Sequence, residues 1–207
     1  MVRLKKRFSA VALICFCFAL SFAGASAPVI AQVDPRLSAE VKDLDAQIAK
    51  DPKDWNLYAK RGKLLYSIDR PEEALADFRK ATDIKPDWVE GYCFMGSYLM
   101  RKKHYHEAVV IFGIAETYEN YPHLDAVRSA RSYCLLKDER YQDALNSAKK
   151  ALATRPTDAI ANFTCGMSTM KLNGARSEVL QYLREAVRLD PSNQEYAAAL
   201  RGAESAR

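Results

Sequence analysis

Three histidines and three cysteines outside the N-terminal segment are the residues whose types could do chemistry, and their spacing decides whether they do. His104 and His106 share a turn and could grip a metal from one side, but a metal site needs three or four ligands and none follows nearby. The pair reads as an exposed turn. His123 follows Pro122 at a helix start and reads as surface. Cys93, Cys134 and Cys165 are an odd number at no metal-ligand spacing, which fits small packing residues inside helices. Glu72 and Glu73 lie where the first turn of a helix favours acids. Asn162-Phe163-Thr164 is formally a glycosylation sequon, yet it falls inside a predicted helix and is set aside. No phosphate-cradling glycine loop, GxSxG, HExxH or CxxC is present. With no nucleophile, base or ligand set converging, the chain reads as a non-enzyme that needs no cofactor and no metal.

Charge points away from nucleic acid. The formal net charge is +5, but residues 1–31 hold Arg3, Lys5, Lys6 and Arg7 and no acid, leaving 27 Lys and Arg against 26 Asp and Glu. A phosphate-binding surface needs clustered cations in the working domain, and none is seen. The leader itself reads as a secretory signal: a basic stretch, the apolar run FSAVALICFCFALSFA, then the small residues of GASAPVIA. Val29-Ile30-Ala31 satisfies the small-residue spacing and keeps Pro28 upstream, so cleavage is expected after Ala31, which implies a periplasmic or secreted location and no membrane contact afterwards. The alternative is an anchor formed by residues 8–27, since no charge interrupts that run. Cys15 and Cys17 would leave with the leader.

The elements that would position any site follow from a repeat. Tyr58, Gly62, Leu65, Ala74, Phe78 and Ala81 recur 34 residues later as Tyr92, Gly96, Leu99, Ala108, Phe112 and Ala115. Leu99, Tyr105, Ala108 and Ala115 recur at an offset of 36 as Leu135, Tyr141, Ala144 and Ala151, so two extra residues fall between Ala115 and Pro122. A one-residue slip near Asn173-Gly174 carries Ala151 to Ala186. Spacings of four and three put each group on one helix face, and a break at Asp69-Arg70-Pro71 separates two helices per unit. A lone hairpin cannot bury its apolar face, so neighbours must stack.

The pattern resembles the tetratricopeptide repeat. YAKRGKLLYSIDRPEEALADFRKATDIKP and YCFMGSYLMRKKHYHEAVVIFGIAE match it closely; the third unit keeps Ser132 for the glycine and Ala148 for the second aromatic; the fourth has Val179 for the alanine. The resemblance implies an all-α, right-handed solenoid of about four helix-turn-helix repeats with capping helices at both ends. The expected order is a signal peptide at 1–31, an N-terminal capping helix and linker at 32–53, and repeats at 54–87, 88–122, 123–157 and 158–191, then a C-terminal capping helix at 192–207. Leu37, Val41, Leu44 and Ile48 line one face of the first cap. In the second, Ser192 is the expected N-cap with Glu195 at capping-box spacing, and Tyr196 and Leu200 could pack on the last repeat.

In this family the first helix of each unit lines a concave groove. Carried onto this chain, that face holds Ala59, Lys63 and Tyr66; then Cys93, Ser97, Met100 and Arg101; then Ser129, Tyr133, Leu136 and Lys137; and finally Phe163, Met167, Met170 and Lys171. The strip is soft and partly aromatic, with about one cation per unit and Glu90 as the acid at its mouth. A clamp that some relatives use for a C-terminal carboxylate is missing, with Ala59 and Lys63 at two of its positions and Ala126 and Ala130 at later ones. The expected function is therefore a scaffold or adaptor of the cell envelope or secreted space, holding a protein or peptide segment with apolar anchors and acidic residues. The alternatives are a structural subunit that docks through its convex face or caps, and a membrane-anchored repeat protein. The groove residues are also placed to pack against neighbouring helices.

Overall fold

The computed structural model describes residues 34–205, so the expected signal peptide and its cleavage point lie outside the described residues. Within them the chain forms ten α-helices and no strand: α1 (Pro35–Lys50), α2 (Trp55–Ser67), α3 (Pro71–Ile84), α4 (Val89–Arg101), α5 (Tyr105–Glu116), α6 (Leu124–Lys137), α7 (Tyr141–Thr154), α8 (Ala159–Lys171), α9 (Arg176–Leu189) and α10 (Gln194–Ser205). Helices α2 to α9 pair into four hairpins that stack in chain order, and α1 and α10 close the two ends. No described helix is long and apolar enough to cross a membrane.

Each hairpin turns by the same device. Asp69, Lys103, Glu139 and Asn173 all take left-handed backbone, with φ between 56° and 63°. The next amide reaches back to close the helix end: Arg70 N donates to Leu65 O, His104 N to Leu99 O, Arg140 N to Leu135 O and Gly174 N to Thr169 O, at 2.8–2.9 Å. This is the Schellman arrangement, which satisfies carbonyls that the last turn would leave bare. The irregularities in the repeat period also have a place. The two-residue insertion lies in the Thr117–His123 connection, where Tyr118 stacks on Tyr92 and donates through its hydroxyl to Pro86 O at 2.6 Å. The one-residue slip lengthens the turn between α8 and α9.

Small residues set how closely the paired helices approach. A Cβ added to Gly62 would lie 2.7 Å from Phe78, one on Gly96 2.7 Å from Phe112, and one on Gly166 2.8 Å from Leu183. The third hairpin solves the same problem with the sizes exchanged: Ser132 replaces the glycine, Ala148 replaces the aromatic, and both are fully buried. The Ser132 hydroxyl donates to Ser129 O at 2.7 Å, so its burial leaves no bare polar group. Val41, Leu44 and Ile48 of α1 are buried against the first hairpin, while Leu37 is half-exposed.

The second cap departs from expectation. Asn193, not Ser192, caps α10: its side-chain oxygen accepts from the amides of Glu195 and Tyr196 at 3.1 and 3.3 Å. Ser192 instead donates to Asp190 at 2.8 Å. Asn is as strong an N-cap as Ser, and with Asn193 as the cap Glu195 lies two residues on rather than three, outside capping-box spacing.

Candidate functional site

The inner face is built from α2, α4, α6 and α8, and it divides into an open half and a covered half. In the open half, the Lys63 ammonium stands 5.6 Å from the Trp88 ring and 5.8 Å from that of Phe94, a cation held over aromatic faces. Arg101 donates to the Tyr66 hydroxyl at 2.9 Å and lies 5.8 Å from its ring. Tyr66 meets Phe94 edge-on, with centroids 6.1 Å apart. Neither Lys63 nor Arg101 has a carboxylate partner among the described residues. Beside Arg101, a depression of about 390 Å³ is lined by Asp69, Pro71, Glu72, Tyr98 and Lys102. There Glu72 accepts from Tyr98 and from Lys102, each at 3.0 Å, and the bond from Lys102 holds the Glu72 carboxyl below its ordinary range.

The covered half is closed by α10. Glu195 accepts from the Tyr133 hydroxyl at 3.0 Å and pairs with the Lys137 ammonium. Tyr196 stacks on Phe163 with centroids 4.6 Å apart, and Phe163 is 1% exposed. Tyr133 sits between Tyr105 and Phe163, at 6.3 Å from each. Burial, with the Glu195 charge beside it, pushes the Tyr133 phenol well above its ordinary pKa.

The expected groove residues therefore part company. Lys63, Tyr66, Arg101 and Lys171 reach the surface, and Lys171 stands 5.9 Å from the Tyr141 ring. Met167 and Met170 are half-buried against the core. Lys137 is present on the face but neutralised by Glu195. Four of the expected groove residues, Met100, Tyr133, Leu136 and Phe163, are each buried, at 8% exposure or less, and α10 covers Tyr133 and Phe163. Ser129 is likewise structural, donating to Asp158 at 2.7 Å across the joint between the third and fourth hairpins. Tyr196 packs on the last repeat as expected, whereas Glu195 was expected in a capping box; the signal for its inward role was its position one helix beyond the last full repeat, where an inner helix would come next.

Other chemistry-bearing residues resolve into structure. His104 and His106 face different acids, Glu107 at 2.9 Å and Asp138 at 3.2 Å. Among the described residues no three His, Cys, Asp or Glu side chains gather closely enough to hold a metal. Asn162 of the sequon is 4% exposed and donates to Pro156 O and Asp158 O. Cys134 and Cys165 are buried free thiols, and Cys93 is buried with its Sγ 4.0 Å from the Tyr121 hydroxyl.

Stacked helical hairpins with a helix-lined inner face define an α-solenoid, and known proteins share its repeat and its fold. A tetratricopeptide-repeat model matches residues 56–87. A STIP1-homologue protein of Dictyostelium discoideum is 29% identical over 136 residues, 64% of this chain and 21% of its own length. The Hsp70-Hsp90 organizing protein of Triticum aestivum is 44% identical over 50 residues, 24% of this chain and 9% of its own. The chain thus spans about a fifth or less of the curated relatives it matches. Among solved structures, YrrB, a TPR protein with an unusual peptide-binding site, superposes with a TM-score of 0.64 at 22% identity, covering 80% of this chain and 84% of its own. MamA gives 0.65 at 15% identity, covering 83% and 100%. PilW, a type IV pilus biogenesis factor, gives 0.61 at 19%, covering 95% and 89%. The fold is that of a tetratricopeptide-repeat solenoid, and residues 56–87 match the repeat itself.

Proposed function

We propose that this protein is a non-catalytic adaptor of the cell envelope or secreted space, holding a segment of another protein on the open half of its inner face. The observation that carries the reading is the docking of α10 on the other half. There an acid accepts from a lysine and a tyrosine while an aromatic ring one residue on stacks in the core. The inner face thus takes a helix that presents acidic and aromatic side chains together. Lys63 and Arg101, over Trp88, Phe94 and Tyr66, offer the same chemistry with no acid yet supplied. Its partner is a segment with apolar anchors and acids between them. Likeness to the Hsp70-Hsp90 organizing protein supports protein partners as a class. It does not extend to that protein's own partners, because Ala59, at a clamp position, is 3% exposed and carries no charge.

Residues 32–207 would first be used as bait to recover a partner, and the recovered segment titrated against variants. Lys63→Glu with Arg101→Glu should slow association by about tenfold at low salt, since charge steers encounter more than it holds the complex. Wild-type association should slow as salt rises. If the double variant stays folded by circular dichroism and keeps its full association rate, the open half is not the site.

A further inference from the structure

We propose that the outer face of α5 is a second docking surface, fitted to an amphipathic helix whose apolar stripe runs between acidic residues. Three large hydrophobic side chains stand exposed among the described residues, and two of them, Val110 at 54% and Ile114 at 38%, lie one turn apart on α5. The repeat shows that this is a departure. The positions of Val110, Gly113 and Ile114 are held by Ala76, Arg79 and Lys80 in α3, and by Asn146, Lys149 and Lys150 in α7. The second hairpin has lost two cations there and replaced them with a glycine and an isoleucine.

Gly113 adds an independent observation. The fold needs its other tight glycines, but a Cβ on Gly113 would meet nothing nearer than Arg131 Nε at 3.7 Å, an ordinary contact. A helix-interior glycine weakens its helix, and here internal packing gives no reason for it. A bare backbone between two exposed aliphatic side chains lets another helix cross closely.

Charge names the partner. Stacking places α3 and α7 on either side of α5, where the stretches 79–83 and 149–153 present Arg79, Lys80, Lys149 and Lys150 against one exposed acid, Asp83; a turn earlier, the exposed acids Glu73, Glu107 and Asp143 each face a partner of their own, Arg70, His104 and Arg140. Lys149 lies 3.6 Å from Glu178; Arg79, Lys80 and Lys150 make no ion pair among the described residues. An apolar centre between basic flanks fits an apolar stripe between acids. A second copy would bring like charges together, and a bilayer, which rewards a broad face of large side chains, would gain nothing from the glycine.

The probe is a labelled helical peptide of about 18 residues with leucines at helical spacing and glutamates on both flanks, titrated by fluorescence anisotropy against the full chain. Ile114→Asp and Gly113→Leu should each weaken binding about tenfold or more, the loss of one central anchor. Lys80→Glu with Lys150→Glu should weaken it and flatten its salt dependence. Measured in an Arg101→Glu background, where the share held by the inner face is reduced, Ile114→Asp should weaken binding by the same factor, which separates this surface from the inner face. The proposal is overturned if Ile114→Asp, folded by circular dichroism, binds as the parent does, or if only Arg101→Glu weakens binding. It is equally overturned if Ile114→Asp abolishes a dimer seen by sedimentation, or releases the chain from phosphatidylserine vesicles while the peptide never binds.

Discussion

Ser132 and Ala148 show at residue scale how the repeat tolerates change. Where Gly62 faces Phe78 and Gly96 faces Phe112, the third hairpin exchanges small for larger and large for small at the same joint. Close packing makes such sizes interdependent. The buried thiols give a further test. Burial pushes Cys134 and Cys165 up to about 12, against about 8.5 for a free thiol. Between those values the folded state keeps a proton that the unfolded chain has lost. Their stabilising contribution is therefore whole below about pH 8.5 and falls as pH climbs toward 12. Melting temperature should decline through that window, and Cys134→Ala with Cys165→Ala should make the decline shallower. Tyr133 and Tyr196, also raised by burial, act in the same direction, so some decline should remain. An unchanged slope in the double variant would show that these thiols ionise without unfolding.

At the scale of the element, α10 does two things. It covers the apolar end of the last hairpin, and it fills the inner face with Glu195 and Tyr196. Tyr196 is 3% exposed and stacked on Phe163, so Tyr196→Ala should destabilise by about 3 kcal/mol, as large aromatic truncations in a core do. Because solenoid stability resides in neighbour interfaces, hydrogen exchange in that variant should lose protection first across α8 and α9. Equal loss along all ten helices would mean that the chain unfolds as one cooperative unit. Glu195 and Lys137 are both partly exposed, at 39% and 32%. Their pair is worth correspondingly less, about 1 kcal/mol at most, and it orients α10 more than it holds it.

For the whole molecule, the envelope or secreted location we propose rests on the sequence of residues 1–31. Intact mass of the protein recovered from outside the cytoplasm should show a chain beginning at Gln32; one beginning at Met1 in the membrane fraction would favour the anchor. The helices, their pairing and their stacking were legible in the sequence because they depend on residues close along the chain. A period near 34, spacings of four and three, and prolines at helix starts and ends are local signals, and a solenoid asks for contacts only between neighbours. The candidate site was half legible. Which residues face inward follows from the repeat, so Lys63, Tyr66 and Arg101 could be named beforehand. Whether that face is open depends on a helix 62 residues away from Tyr133. Glu195, which local spacing offers as a capping partner, is instead the acid that the docking of α10 brings onto Lys137 and Tyr133. Periodicity determined the scaffold because its energetics are local; only tertiary packing decided which part of the inner face was covered, because that contact joins segments that no repeat relates.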